Sequence, residues 1–143
     1  MSPAANPAAG PVIEVVAAII TDGAGRTLMV RKTGTEIFMQ PGGKPEPGEE
    51  HAAALVRELQ EELGLDLSES DLAPIGRFEA AAANEPGHRV VSHAFRCLAP
   101  VTQFAVQAEI AEARWLDPAD PGVEVAPLSR AHFLPYVIAL AER

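Results

Sequence analysis

The sequence predicts an α+β fold, an α/β/α sandwich in which a mixed β-sheet lies between helices. Two observations predict it. Strand-like apolar runs outnumber helical segments and alternate with them in mixed order. Only one long stretch free of Pro and Gly is rich in Ala, Leu and Glu, from Glu50 to Leu63, and it reads as the main helix. At 143 residues the chain is long enough for one hydrophobic core and short for two. Residues 12–143 are therefore expected to form one domain, behind a disordered segment, residues 1–11, of sequence "MSPAANPAAGP".

In chain order, residues 12 to 20 are β-branched and apolar, "TDGAGR" supplies turn chemistry, and "TLMVR" resumes the apolar run, which predicts a β-hairpin. "IFMQPGG" predicts a short strand ending at Pro41, and Pro47-Gly48 a turn into the helix, which Gly64 should cap at its C-terminus. Strands are expected at about 75 to 82 and 89 to 98, either side of the loop "NEPGH", and around "EARWL". A last helix should run from about Ser129 to Glu142, with Pro135 kinking it or marking where it begins in earnest.

A net charge of -9 argues against general affinity for nucleic-acid phosphates, which depends on many Lys and Arg contacts. The apolar run "VIEVVAAII" is interrupted by Glu14 and falls far short of a bilayer span, so no membrane segment is expected. The N-terminus lacks the basic start and apolar stretch of a signal peptide, and the lone Cys97 fits a reducing compartment, so the expected location is cytoplasmic. Cys97 lies in a strand-like run and reads as a buried structural thiol. His51, His88, His93 and His132 are too scattered along the chain to read as a zinc site, and each is assigned a separate surface or core role.

The helix carries the informative charges. On a wheel of about 100° per residue, Leu55, Val56, Leu59 and Leu63 form a core-facing stripe, Arg57, Glu58 and Glu61 fall on the other side, and Glu62 lies at the edge. A solvated face with intrahelical ion pairs accounts for Arg57 with Glu61, but Glu58 and Glu62 are a like-charge pair one turn apart that destabilises an isolated helix. Spacing allows Glu58, Glu61 and Glu62 to converge, and a divalent cation would turn their repulsion into attraction. An all-oxygen set points to magnesium, manganese or calcium rather than zinc.

Gly43, five residues, Glu49, seven residues, then "RELQEELGL" from Arg57 to Leu65 resembles the signature of the Nudix hydrolases at every fixed position. The resemblance extends more loosely from about residue 12 to the C-terminus through the order of strands and helices. It implies an enzyme that hydrolyses a diphosphate bond in a nucleoside diphosphate linked to another group, with Mg2+ as cofactor and Mn2+ as its substitute. It also implies that Glu58 and Glu62 are the principal metal ligands, that Glu61 is a third acting directly or through water, and that the backbone carbonyl of Gly42 is a fourth. Arg57 would pair with Glu49 and hold the loop against the helix, and Glu49 could reach a metal through water. The general base would be a glutamate of the signature or one outside it, where Glu109 and Glu112 are the candidates.

Arg31, Lys32, Lys44 and Arg89 are candidates for phosphate contacts, and Phe38, Phe78 and Trp115 are assigned to the core rather than to base stacking. Subfamilies that hydrolyse ADP-ribose or diadenosine polyphosphates carry a Pro or a Tyr about fifteen residues past the signature; here the region reads "EAAAA". A small-molecule nucleotide, most simply a nucleoside triphosphate or modified nucleotide, is the expected substrate, and the family resemblance suggests a homodimer. The alternatives are a non-catalytic sensor or regulatory module for a nucleotide derivative, or a purely structural acidic domain. The intact carboxylate set argues against the first, and the full match to the signature against the second.

Overall fold

β-Branched and small apolar residues, interrupted by Glu14, make up Val12–Ile19, which forms β1, and both faces of its C-terminal half are covered. The structure, a computed structural model, describes residues 11–83 and 85–142; the expected N-terminal segment lies, apart from Pro11, outside the described residues. After β1 come β2 (Thr27–Lys32), β3 (Phe38–Met39), β4 (Gly42–Gly43), helix α1 (His51–Leu63), β5 (Leu72–Ala81), β6 (Arg89–Cys97), β7 (Ile110–Leu116) and helix α2 (Leu134–Ala141). A short 3-10 turn, Glu69–Asp71, which the sequence did not suggest, precedes β5.

One sheet has the order β4-β1-β6-β5 and the other β3-β2-β7. β1 runs parallel to β6 and antiparallel to β4, so the four-stranded sheet is mixed. Period-two alternation sends Val16, Ala18 and Ile20 to one side, where they pack with Leu55, Leu59 and Leu63 of α1. Ala17 and Ile19 point the other way, against Phe133 and Val137 near the C-terminus. Helices thus cover both faces of β1, as the sandwich requires. Among the described residues no helix is long and apolar enough to cross a membrane.

The expected β1–β2 hairpin needs correction. The turn itself forms, with the Asp22 carboxylate accepting the N–H groups of Ala24 and Arg26 at 2.9 Å each. The two strands then diverge into different sheets, linked near the turn by an isolated bridge between Thr21 and Thr27 and by the Leu28 N–H and Thr27 Oγ1 donating to Ile20 O at 2.9 and 3.0 Å. The reason is competition for backbone partners: β4 and β6 occupy both edges of β1, and β3 and β7 both edges of β2.

α1 begins after Glu50 and ends at Gly64, whose φ of 68° is the left-handed conformation of a C-terminal glycine cap. Leu55, Leu59 and Leu63 are fully buried, as the wheel predicts, and Val56 is partly buried. β5 starts three residues before the expected 75 because an edge strand tolerates Pro74, next to which the register shifts. The expected final helix opens as a π-helical turn, Ser129–Phe133, before α2 proper, with Pro135 in the first turn of α2, where its missing N–H is harmless. Phe38 is buried, Phe78 packs edge-on against Phe133, and Trp115 against Phe104.

Leu59→Ala is expected to lower unfolding stability by about 2–5 kcal/mol, because a fully buried side chain leaves a cavity. Gly64→Ala should cost about 1–2 kcal/mol through its positive φ. Urea midpoints at constant slope measure both, and a Leu59→Ala loss below about 1 kcal/mol would contradict this packing.

Candidate active site

The loop before α1 comes unusually close to its neighbours. β4 pairs with β1 through Val16 opposite Gly43 and Ala17 opposite Gly42, and the Ala18 N–H donates to Pro41 O at 2.9 Å. A Cβ on Gly42 would lie 1.9 Å from the Val16 carbonyl oxygen, and one on Gly43 would lie 2.4 Å from the Glu58 carboxyl carbon. At Gly42 only glycine permits this approach, because the neighbour is backbone, whereas a side chain at Gly43 would have to push the Glu58 carboxylate aside.

Glu62, which the wheel puts at the edge of the apolar stripe, is 2% exposed, and its Oε1 accepts the Gly42 N–H at 3.3 Å. Burial pushes its carboxyl up to about 8; the Gly42 N–H opposes the shift and the charge of Glu58 adds to it. Burial likewise raises the Glu58 carboxyl, against the pull of Arg57.

Arg57 is the organising cation. Its Nε and Nη2 donate to Glu49 Oε2 and Oε1 at 2.9 and 2.8 Å, its Nη1 to Glu58 Oε2 at 2.9 Å, and its Nη2 also to the Lys44 carbonyl at 3.2 Å. This bidentate fork ties the loop to the helix. Arg57 holds the Glu49 carboxyl at about 2, with help from the Glu46 N–H. Glu61 lies on the outer side, 53% exposed and 3.6 Å from Arg57. Helical geometry explains the difference: Glu58 and Glu62 are one turn apart on the same face, and Glu61 is rotated by about 100° from Glu62.

Glu58 and Glu62 open into a cavity of about 430 Å³ that also reaches Lys32, Lys44, Gly42 and Glu109. Lys32 stands 3.8 Å from Glu109. Beyond the carboxylates the walls become apolar, with Ile13, Val15, Val90, Leu128 and Phe133. Three buried polar residues interrupt that lining: Gln40, Ser92 and Ser129. The Ser129 hydroxyl donates to Gln40 Oε1, while Gln40 Nε2 and Ser92 Oγ are buried without a hydrogen-bond partner. Buried polar atoms are normally paired, and both of these orphans belong to residues that line the cavity.

The other expected residues are engaged elsewhere. Arg31 donates to Glu112 and to the Thr35 carbonyl, Glu112 also binds Arg114 at 2.6 Å, and Arg89 pairs with Glu79 at 3.3 Å; none of these lines the cavity. Sequence reasoning missed Gln40, Ser92 and Ser129. The available signal was slight: Gln40 is the one polar side chain in "IFMQPGG", and Ser92 interrupts an apolar strand.

The donor set fits a hard divalent cation. Glu58 and Glu62, once ionised, are acceptor-only groups side by side in a buried site where Arg57 pairs with Glu58, and oxygen ligands of this kind suit magnesium-like ions.

Without metal, the raised Glu62 pKa means that the folded state binds more protons than the unfolded chain. Its stabilising contribution is full below the ordinary glutamate range and is lost as pH rises toward about 8. Glu62→Gln removes the charge and keeps the shape. In chelator, the variant should match or slightly exceed the parent in Tm at neutral pH and should lose less stability between pH 5 and 8. A steeper pH dependence in the variant would contradict the assignment.

Residues 12–137 match the family model described as the NUDIX domain. The CTP pyrophosphohydrolase of Escherichia coli strain K12 is 37% identical over 84 residues, a match spanning 56% of this chain and 57% of that protein's length. The solution structure of the E. coli ORF135 protein superimposes with a TM-score of 0.70 at 28% identity, covering 92% of each chain. The MutT protein of Methanosarcina mazei Go1 shares the fold, with a TM-score of 0.73 at 21% identity over 94% of this chain and 98% of that one. A family match over most of the chain, on a fold that carries the signature glutamates on α1, shows that this chain belongs to the Nudix family.

Proposed function

We propose that the protein is a magnesium-dependent pyrophosphohydrolase of a nucleoside triphosphate, with manganese able to substitute. One water would cleave the α–β anhydride bond, giving a nucleoside monophosphate and pyrophosphate. The observation that carries this reading is the pair of buried carboxylates, Glu58 and Glu62, opening into a cavity that has lysines at one end and an apolar chamber with two orphan polar atoms at the other. A triphosphate with an attached base matches that sequence of environments. The resemblance to an E. coli CTP pyrophosphohydrolase over part of the chain supports the same class and makes CTP the first substrate to try.

In this reading Glu58 and Glu62 hold the metal, with Glu61 in reach through water and the Gly42 carbonyl completing the set. The bound ion would neutralise diphosphate oxygens and acidify the attacking water. Arg57 and Glu49 act by position: they fix Glu58 and the loop in one geometry. Lys32 and Lys44 neutralise the outer phosphates. Glu109, on the cavity wall, is the candidate for moving the water's proton, whereas Glu112 is committed to two ion pairs. Arg31 and Arg89 drop out as phosphate ligands because Glu112 and Glu79 hold them. The base would enter the apolar chamber and meet Gln40 Nε2 and Ser92 Oγ. A free, buried Cys97 accords with a cytoplasmic setting.

A panel of nucleoside triphosphates, oxidised nucleotides, nucleotide sugars and dinucleoside polyphosphates, assayed with magnesium for pyrophosphate or phosphate release, tests the reading. A triphosphate should be the best substrate and Glu62→Gln should reduce its turnover by about a hundredfold or more. No hydrolysis with either metal would put a non-catalytic nucleotide sensor in its place. Gln40→Leu should raise KM about five- to tenfold with a smaller effect on kcat, as expected when one hydrogen bond to the base is lost. An unchanged KM would remove Gln40 from base recognition.

A further inference from the structure

The four histidines look unrelated along the chain, yet the fold brings two of them together. His93 on β6 and Glu14 on β1 share the face of the four-stranded sheet that carries α1, since Val16 stands opposite His93 and Glu14 is two residues before Val16. His51 descends on them from the first turn of α1. His93 Nε2 and Glu14 Oε2 are 3.0 Å apart, and the His51 and His93 rings stack with centroids 3.8 Å apart and planes 18° from parallel. One donor atom from each of the three residues lies within 4.8 Å of the other two.

We propose that Glu14, His51 and His93 form a second metal site, for a zinc-like ion, separate from the carboxylate cluster of α1. Two imidazoles and one carboxylate are the ligand set of zinc, nickel or cobalt rather than magnesium, which prefers oxygen alone. Tetrahedral ligands at about 2.1 Å from zinc stand about 3.4 Å from one another. The Glu14–His93 pair is already near that spacing; the remaining donors must close by about 1.4 Å at most, and the near-parallel imidazoles must turn so that both in-plane lone pairs face one ion. Glu14, 57% exposed, is free to turn. The fourth position stays open to water.

An isolated Glu14–His93 ion pair would explain only two of the three groups. His51, whose ring stacks on that of His93, offers a third donor atom within 4.8 Å of the other two. The neighbouring Arg77, opposite His93 on β5, does not hold Glu14 in a salt bridge: its guanidinium binds Glu79 at 2.7 Å. Seven residues of helix separate His51 from Glu58, a rise of about 10 Å, so the two ions would not share ligands. A zinc ion here would tie the N-terminal turn of the glutamate-bearing helix to β1 and β6, stabilising the fold by linkage. This goes beyond the hydrolase reading and does not depend on it.

The test uses the full chain stripped of metal and then held in millimolar magnesium, so that hard-ion sites are filled. Zinc should raise Tm, and cobalt(II) should give the intense visible absorption of a tetrahedral site, saturating at one ion per chain. His51→Ala, His93→Gln and Glu14→Gln should each weaken the affinity for zinc by at least the roughly tenfold that loss of an outer-shell partner costs. Glu58→Gln should leave it unchanged, and magnesium-dependent turnover of His51→Ala should stay within about twofold of the parent. If His93→Gln folds poorly, the exposed Glu14→Gln carries the comparison. The absence of any zinc-dependent Tm shift, or a shift that survives all three substitutions and disappears in Glu58→Gln, would overturn the site.

Discussion

The close approach of the Gly42–Gly43 backbone to β1 and to Glu58 is the constraint on which the rest of the site depends. A side chain at either position would collide with the Val16 carbonyl or the Glu58 carboxylate. Because both are glycine, β4 can add to the edge of β1, the Gly42 N–H can reach Glu62, and the carboxylates can stand beside a cavity instead of in open solvent. At the other end of the same loop, Arg57 binds Glu49 with two hydrogen bonds and the Lys44 carbonyl with a third. The loop is therefore pinned at both ends, by backbone contact and by charge.

Helix α1 performs two tasks that pull in opposite directions. Its leucine face anchors it in the core, which removes any freedom to rotate. With that rotation set, Glu62 is carried into a buried position where its ionised form is disfavoured, and Glu58 lies close enough to add repulsion. Such conflict between stability and local charge is characteristic of sites that serve chemistry. Arg57 relieves only part of it, since it contacts Glu58, Glu49 and Glu61 but not Glu62.

The cavity owes its shape to the two faces of β1. Val16 and Ala18 of β1 pack under α1, while Ile13, Val15 and Ala17 face the chamber whose far wall comes from Leu128 and Phe133 near α2. A strand buried on both sides thus sets one wall of the site with the same side-chain alternation that builds the core. The polar exceptions, Gln40, Ser92 and Ser129, come from three distant segments and meet only in this chamber.

What the sequence determined by itself were the features encoded over one or two helical turns. The leucine stripe of α1, its glycine cap, the like-charge Glu58–Glu62 pair and the signature that includes Arg57 and Glu49 are all local patterns, and each reflects a period or spacing that the backbone imposes. Tertiary structure decided what depends on partners far along the chain. It turned the expected hairpin into two sheets, because edges of β1 and β2 were claimed by strands as distant as the Thr27–Leu116 pairing. It withdrew Arg31, Arg89 and Glu112 into ion pairs, left Glu61 on the outer side, and gathered Gln40, Ser92 and Ser129, as it gathered Glu14, His51 and His93. The physical reason is that a side chain's direction follows from its own element, whereas its neighbours follow from how elements pack, and no local period carries that information.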